Sequence, residues 1–280
     1  ARDCQSDCGT RSVVPDAAKV PSHRIRTKEE SGPCHSAPYS VSVQKRKFLD
    51  AWLDRMLKSN MIVASRSPWA SPLCMAKPPP TKRDPDNPSW RICGDYRKLN
   101  LSTIPDRYPL PRCEDLLRLL GGNKWFTTLD ACSGYQQIRM HPDSQMKTAF
   151  ICHRGLYEFT RMPFGLCNAS ATFQRTMNTV LSGLTYNICS IYIDDVIIFS
   201  KDFDTHLRDV DEVVQRLSDA GISLKASKCR FFRTQVEYLG HLVTPDGISP
   251  LRRVISAVLD WGYTLSASRT YRVFWGSQTT

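Results

Sequence analysis

The spacing of apolar residues predicts four helices. A helix over residues 44–61 follows from apolar side chains at three- and four-residue steps: Phe48, Leu49, Trp52, Leu53, Met56, Leu57 and Met61. A short helix at 112–120 is stopped by a Gly-Gly pair. A third begins at a capping Asn168 and presents Phe173, Met177, Val180 and Leu181 on one side. A fourth, closed by Gly221, is lined by Leu207, Val210, Val214 and Leu217.

Short runs of β-forming residues predict strands between these helices. They are residues 90–95, "WFTTLD" at 125–130, "YQQIRM" at 135–140, "TAFIC", "LYEFTRM" and a hairpin pair in "VEYLGHLV" at 236–243. Residues 64–89 carry seven prolines and are expected to be mostly loop or edge structure. Because hairpins and helices are mixed along the chain, an α+β fold is favoured over a doubly wound one.

The stretch "SIYIDDVIIFS" at 190–200 places two aspartates inside an otherwise buried β pattern. The pattern predicts a hairpin with Asp194 and Asp195 at or beside its tip. Aspartate is common in turns, so a simply solvated pair is one interpretation. Asp130 ends its own strand and precedes the small-residue turn "ACSGY", which opens a second interpretation, a convergence of three carboxylates.

Converging carboxylates require cations. Two unit charges about 4 Å apart repel by roughly 4 kcal/mol at an effective dielectric near 20. Hard oxygen ligands favour Mg²⁺ or Mn²⁺, and two such ions form the clamp used for nucleotidyl transfer. The second interpretation therefore predicts a two-metal site on a rigid apolar frame.

Composition makes a polyanionic partner plausible. The 280 residues include 38 Lys and Arg against 27 Asp and Glu, a net charge of +11, which also suits an ordinary basic protein. Eleven cysteines without a signal peptide indicate reduced thiols in an intracellular protein, and Cys4 and Cys8 lack the further ligands of a zinc site. No apolar stretch is long enough to span a membrane. The chain begins with alanine, as expected of a fragment or a processed product.

Seven blocks in a fixed order carry a family resemblance. "YIDD" at 192–195 matches the Y-x-D-D box of reverse transcriptases, and "WRICGDYRKLN", "DRYPLPRCEDLL", "FTTLDACSGYQQI" and "YEFTRMPFGLCNASATFQRTMN" are among the blocks that precede it. Residues 45–250 resemble the polymerase of gypsy-type LTR retrotransposons, whose Pol polyprotein this chain would represent in part. The resemblance implies right-hand fingers and palm, with an antiparallel palm sheet backed by helices.

The resemblance assigns the carboxylates. Asp130, Asp194 and Asp195 are implied to be the catalytic and metal-binding residues of the palm, with Asp130 and Asp194 bridging two Mg²⁺ ions (or Mn²⁺) and Asp195 more peripheral. The backbone carbonyl of Ala131 is expected to add a ligand. Lys228 is a candidate to protonate pyrophosphate or to touch the primer backbone, although lysines in such a run are more often solvated.

Nucleotide and primer contacts are implied by the same blocks. They are Lys77 and Arg91 for the triphosphate, Tyr135 under the sugar, Phe164 and Gly165 beside nucleotide and template, and Leu239, Gly240 and His241 as the primer grip. The alternatives are a fingers-surface role for the arginine, an ordinary strand position for the tyrosine, a core position for the phenylalanine and a plain surface position for the histidine.

The implied organisation has four parts. Residues 1–43 are a polar N-terminal arm, extended or poorly ordered, 44–110 form the fingers and lead-in helix, 58–243 are the reverse transcriptase domain, and 244–280 are a truncated connection or thumb remnant. A proline run replaces the short fingertip turn after Lys77, so a longer and stiffer fingertip is expected. RNase H and integrase regions are expected in the full polyprotein but absent here, and the thumb is expected to be truncated or absent.

Two functions compete. The first is RNA-directed DNA polymerase chemistry with an RNA template, a DNA or RNA primer and dNTP as partners, and without a membrane. The second is a catalytically impaired relic that only binds nucleic acid, favoured by the charge and the lost C-terminal pattern. An RNA-dependent RNA polymerase is disfavoured by Tyr135 and the gypsy-type blocks. The expected location is intracellular, in cytoplasmic virus-like particles or the nucleus, and not secreted.

Overall fold

The computed structural model describes residues 16–76 and 90–251. The helices are α1 Val43–Lys58, α2 Arg97–Ser102, α3 Cys113–Arg118, α4 Pro142–Gln145, α5 Ala169–Val180 and α6 Phe203–Asp219. The strands are β1 Ile62–Ala64, β2 Ser71–Ala76, β3 Arg91–Gly94, β4 Trp125–Asp130, β5 Phe150–Cys152, β6 Gly155–Phe159, β7 Cys189–Tyr192, β8 Asp195–Ser200, β9 Arg230–Arg233, β10 Val236–Tyr238, β11 His241–Thr244 and β12 Gly247–Pro250. The expected α+β class is confirmed.

The chain divides into two compact units. The first comprises Ala1–Leu110, Ala131–Ser182 and Val214–Lys225, and the second comprises Pro111–Asp130, Gly183–Val213 and Ala226–Thr280. The chain passes from the second unit back to the first at the Asp130–Ala131 bond.

The first unit is built on a five-stranded sheet in the order β1-β6-β5-β2-β3. The helix α1 covers it, and Leu49, Leu53 and Met56 pack with apolar residues from four of its strands. The predicted amphipathic helix is confirmed because its three- and four-residue spacing forms this buried face.

An interior strand corrects the expectation for residues 64–89. The strand β2 pairs with β3 on one side and with β5 on the other, although it contains Pro72. Pro72 lacks an amide donor, yet its carbonyl accepts from the Asp95 amide at 2.8 Å, and the neighbouring Ser71 amide donates to Ala149 at 2.9 Å. At this position the proline only has to accept a hydrogen bond, which its carbonyl can do. Lys77 and residues 78–89 lie outside the described residues.

The predicted strand at 135–140 is wrong. Residues Gly134–Gln137 form a 3-10 helix, and only isolated bridges follow it. Gln137 is fully buried and its amide nitrogen donates to Cys132 and Ser223 carbonyls, while its oxygen accepts from the Ser223 amide. These tertiary bonds hold the segment in a tight turn despite its β-forming residues.

The described part of the arm is extended and held by backbone bonds. Ala18 donates to Gln137 at 2.9 Å and His23 donates to Arg139 at 2.7 Å. Ala18 and His23 are both buried. Residues 16–42 therefore belong to the first unit, while residues 1–15, with Cys4 and Cys8, lie outside the described residues.

The second unit is built on an antiparallel four-stranded sheet in the order β7-β8-β4-β9, with a separate three-stranded sheet in the order β10-β11-β12. A shared core joins them, in which Phe126 and Phe199 pack against Leu117 of α3 and Tyr238 and Val243 of the small sheet. The predicted hairpins at 190–200 and 236–243 are confirmed. The helix α6 uses Val210 and Leu217 as predicted, but Leu207 is half exposed and His206 takes its place in the buried face.

Candidate active site

The carboxylates lie at the open end of one sheet face. In the antiparallel pairing of β4 with β8, Phe126 is opposite Phe199 and Asp130 is opposite Asp195. Since side chains alternate along a strand, Phe126, Phe199, Asp130 and Asp195 share one face, which we call the carboxylate face. Directly opposed residues have Cα atoms about 4.5–5.5 Å apart. The face is thus apolar and buried at one end and carboxylate-bearing at the other.

The turn beside these carboxylates is strained. Tyr192 pairs with Asp195, so Ile193 and Asp194 form a two-residue loop. Ile193 has a φ of 57°, a left-handed conformation that β-branched residues rarely adopt. Asp194 therefore lies at the tip, as predicted, while Asp195 is the first residue of β8. The structure opposes Asp130 to Asp195, and Asp194 is exposed in the adjacent turn.

Asp195 carries the electrostatic signature of crowded carboxylates. Burial, followed by the charges of Asp194 and Asp130, raises the pKa of Asp195 to about 6, and the charge of Lys228 opposes this shift. Asp194 and Asp130 thus both lie close enough to Asp195 to disfavour its charged form. A carboxyl group with a raised pKa gains from a nearby cation, because the cation favours its charged form.

A lysine already occupies part of this space. The Lys228 ammonium lies 2.8 Å from Asp130 Oδ2. Lys228 precedes β9, which pairs with β4 through Thr128 and Arg230, so continuing that register places it beside Asp130. Asp130 is therefore flanked by Asp195 on one side and Lys228 on the other. Because this neighbour depends on the strand order, sequence patterns left Lys228 as a lesser candidate.

The donor chemistry fits a hard divalent cation. Among residues 16–76 and 90–251, no three His, Cys, Asp or Glu side chains form a group that could hold a metal ion. Mg²⁺ in phosphoryl-transfer sites takes one or two carboxylates, with substrate phosphates and waters completing its shell. Asp130 and Asp195 supply such a pair. The ion pair between Asp130 and the Lys228 ammonium shows that a positive charge is stable beside Asp130.

The hairpin predicted to be the primer grip lies in the second unit, which also contains the three aspartates. Leu239 and Gly240 form a two-residue turn between β10 and β11, with φ values of 45° and 79°. Two successive left-handed residues are typical of the type I′ turn, which suits the twist of a hairpin. His241 Nδ1 donates to the Leu239 carbonyl at 3.0 Å. The hairpin packs on Phe126, so it and the carboxylates share the carboxylate face.

The first unit brings two predicted nucleotide-binding residues, Tyr135 and Phe164, into contact. The Tyr135 ring lies 5.4 Å from the Phe164 ring and 5.8 Å from the Phe173 ring, and its hydroxyl is 2.8 Å from Ser170 Oγ. Phe164 is 43% exposed, so it is a surface residue rather than a core residue. Tyr135 is fixed in orientation by this packing.

Gly165 is placed by a close backbone approach. Its φ is 100°, and a Cβ there would lie 2.9 Å from the Gly94 carbonyl oxygen. Asn100 holds the same turn, because its Nδ2 donates to the Gly165 carbonyl at 2.8 Å and its Oδ1 accepts from the Cys167 amide at 3.0 Å. Sequence analysis missed Asn100, and only the block "RKLN" marks it.

The remaining predicted residues have simpler positions. Arg91 is exposed at the start of β3, opposite Ala76. Ala131 is buried and forms a bridge with Leu224. Asn168 precedes α5, but its side chain makes no cap bond and instead binds Ile104 and Asp106. The predicted cap is therefore correct in position and wrong in its hydrogen bonds.

Cysteines and membranes add two findings. All nine cysteines in the described ranges are free thiols, as expected of reduced cysteines. None of the helices within those ranges has the length and apolar character needed to cross a bilayer.

Comparisons with known proteins agree with this architecture. Residues 80–243 match the family model described as reverse transcriptase (RNA-dependent DNA polymerase). The chain is 40% identical over 240 residues to the Retrovirus-related Pol polyprotein from transposon 297 of Drosophila melanogaster, covering 85% of this chain and 22% of that protein. It is 41% identical to the Pol polyprotein from transposon gypsy of the same species, covering 85% and 23%.

A fission yeast relative and a solved structure extend the comparison. The Transposon Tf2-3 polyprotein of Schizosaccharomyces pombe is 33% identical over 223 residues, covering 80% of this chain and 16% of that one. The foamy viral protease-reverse transcriptase in complex with dsDNA has a TM-score of 0.77 at 23% identity, covering 87% of this chain and 49% of that one. The same viral protein in complex with RNA/DNA hybrid has a TM-score of 0.76.

The chain belongs to the reverse transcriptase family. It corresponds to the reverse transcriptase domain of retrotransposon Pol polyproteins and has the fingers and palm of that fold. It spans about a fifth of the length of the two Drosophila polyproteins.

Proposed function

We propose that this domain catalyses RNA-directed DNA synthesis, in which a primer 3′-hydroxyl attacks the α-phosphate of a dNTP and pyrophosphate leaves. The observation that supports the proposal most strongly is the opposition of Asp130 and Asp195 at the open end of an otherwise apolar face. An apolar, buried strand pair keeps two such groups at a fixed separation, which catalysis requires.

The three proposed metal-binding aspartates and the proposed primer-binding residues belong to the second unit. Asp130, Asp194 and Asp195 would hold two Mg²⁺ ions, or Mn²⁺, which when bound lower the pKa of the attacking hydroxyl and neutralise the departing phosphates. The β10–β11 turn at Leu239 and Gly240, with His241 beside it, would hold the primer end. Lys228, beside Asp130, stays a candidate proton donor to pyrophosphate.

The proposed nucleotide contacts are residues of the first unit. Tyr135, fixed by Phe164 and Phe173, would pack against the sugar, and Gly165 would let the backbone come close to the base pair. Arg91 would contact the triphosphate, because a guanidinium pairs bidentately with phosphate oxygens. The Ala131 carbonyl is a further proposed metal ligand, and Lys77 a further proposed phosphate contact.

Family membership supports a proposal for the partners and the location. The foamy viral protease-reverse transcriptase, which shares the fold, was solved with RNA/DNA hybrid and with dsDNA. We propose an RNA template with a DNA or RNA primer as the partner of this domain, RNase H and integrase regions in its polyprotein, and cytoplasmic virus-like particles or the nucleus as its location.

Primer extension on an RNA template with Mg²⁺ tests the proposal. The chain should incorporate dNTP, while Asp130→Asn and Asp194→Asn should each abolish incorporation and leave hybrid binding intact. Asp211→Asn, an exposed change on α6 of the same unit, is the matched control and should retain activity. Hybrid binding without any incorporation by the unmodified chain would contradict polymerase chemistry.

A second candidate function is nucleic-acid binding without catalysis, favoured by the net charge of +11. The same experiment separates the two. If the unmodified chain and Asp194→Asn bind hybrid equally and both fail to extend a primer, binding alone is the function.

A further inference from the structure

A series of hydrogen bonds lies buried on the β7-β8-β4-β9 sheet, on the face opposite the carboxylate face. His206 of α6 is fully buried, with Nε2 at 2.9 Å from Thr127 Oγ1 and Nδ1 at 2.9 Å from Ser200 Oγ. The Ser200 hydroxyl donates to Asp209 Oδ2 at 2.6 Å, and the Phe232 amide donates to Thr127 Oγ1 at 3.2 Å. These four hydrogen bonds thus join β4, β8, β9 and α6.

The available protons fix which group donates and which accepts in each of these hydrogen bonds. Ser200 has one hydroxyl hydrogen, which the 2.6 Å contact with Asp209 requires, so its oxygen accepts from His206 Nδ1–H. Burial lowers the pKa of His206, against the opposing charge of Asp209, so the ring is neutral and Nε2 is an acceptor. Thr127 then donates to Nε2 and accepts from the Phe232 amide.

Such a series of hydrogen bonds costs stability unless every member is satisfied. Here each bond has one donor and one acceptor, and the series ends on a carboxylate. An apolar residue in place of His206 would leave the buried Thr127 hydroxyl without its acceptor, which costs free energy. The bonds also connect three neighbouring strands, two of which carry the carboxylates.

We propose that His206, held as the Nδ1–H tautomer, is a positioning residue that fixes β4 against β8 and β9 and so sets the spacing of Asp130 and Asp195. Thr127 lies three residues before Asp130 on β4, and Ser200 lies at the far end of the strand that begins with Asp195. The positioning role itself does not require polymerase activity. Only the purpose of the Asp130–Asp195 spacing, which is metal binding for polymerisation, rests on the proposed function.

The tautomer is measured first. In the full chain labelled with ¹⁵N-histidine, long-range ¹H–¹⁵N correlation near neutral pH should show one ring protonated at Nδ1 alone. The signal is assigned by its absence in His206→Asn. A ring protonated at Nε2, or at both nitrogens, would overturn the inference.

The spacing is measured with a pair of variants at Thr127. Thr127→Val keeps the shape and removes the hydroxyl, whereas Thr127→Ser keeps the hydroxyl. We expect Thr127→Val to weaken Mn²⁺ binding about tenfold and to lower the rate of dNTP incorporation similarly, with the dNTP KM within about twofold. Thr127→Ser should restore both values to within about threefold of the original.

The outcomes separate the inference from the proposed function. If the unmodified chain does not polymerise but the two variants still differ in Mn²⁺ affinity, the positioning role stands and polymerase chemistry fails. If the chain polymerises and the two folded variants have equal Mn²⁺ affinity, the positioning role is overturned and polymerase chemistry stands. Equal affinities, including no binding in either, overturn the inference.

Discussion

At the scale of single residues, Asp130 has a carboxylate on one side and an ammonium on the other. Asp195 opposes it across β8, and the Lys228 ammonium pairs with it at 2.8 Å. A divalent cation bound at Asp130 must compete with this ammonium. Lys228 is half exposed, so its ion pair adds little to stability and is easily exchanged.

We expect Lys228→Met to strengthen Mn²⁺ binding severalfold in the presence of RNA/DNA hybrid, because the competing charge is removed. Water-proton relaxation enhancement measures the affinity. Lys201→Met removes the same charge at the opposite end of β8 from Asp195 and is the control. Equal affinities in the two variants would show that Lys228 does not compete for Asp130.

His23 should make stability depend on pH. Burial lowers the pKa of His23 to about 4 from an ordinary value of 6.5, against an opposing effect of Asp106. Between these values the unfolded chain binds more protons than the folded one, so stability falls as the pH drops. From pH 7.5 to pH 5 the loss is about 2 kcal/mol.

Urea unfolding at the two pH values tests this effect. His23→Gln should lose about 2 kcal/mol less than the unmodified chain between pH 7.5 and pH 5. His35→Gln changes an exposed histidine and should keep the original pH dependence. The same loss in all three proteins would show that His23 is not the group responsible.

At the scale of elements, the turn at Gly165 ties β3 to the 164–167 segment. Gly165→Ala should cost about 2 kcal/mol or more, because positive φ is unfavourable for alanine and its Cβ meets the Gly94 carbonyl. Gly155→Ala has the φ penalty alone, since nothing lies within 4 Å of its Cβ, and should cost less. Thermal unfolding compares the two, and equal losses would contradict a tight Gly165 contact.

Elements with a strong local pattern were predictable from sequence. The spacing in α1 and the apolar runs in β4, β7 and β8 were sufficient, because burial follows the period of each element. The 3-10 helix at Gly134–Gln137 was not predictable, because Gln137 is held by bonds to the distant Ser223.

The candidate site shows the same division. Asp130, Asp194 and Asp195 stand out as charges in apolar strands. The positions of Lys228 and His206 could not be predicted without the strand order β7-β8-β4-β9, because β9 pairs with β4 from far along the chain. Long-range pairing of this kind has no local signature.

At the scale of the whole molecule, the positive charge predicts salt-dependent binding of nucleic acid. With a net charge of +11, affinity for RNA/DNA hybrid should fall about 100-fold between 50 and 200 mM salt if about four phosphates are neutralised. Fluorescence anisotropy at several salt concentrations gives the slope. An affinity that is unchanged over this range would exclude a phosphate-dominated interface.

Under the proposed function, Asp130 and Asp195 together bind the divalent cations of polymerisation. The most direct measurement is electron paramagnetic resonance of free Mn²⁺ in a titration with RNA/DNA hybrid and a non-hydrolysable dNTP. We predict two ions bound per chain beyond those bound by the hybrid alone, their loss in an Asp130→Asn and Asp195→Asn double variant, and their retention in Asp211→Asn. The same number of bound ions in the double variant as in the unmodified chain would show that these two carboxylates do not hold the ions.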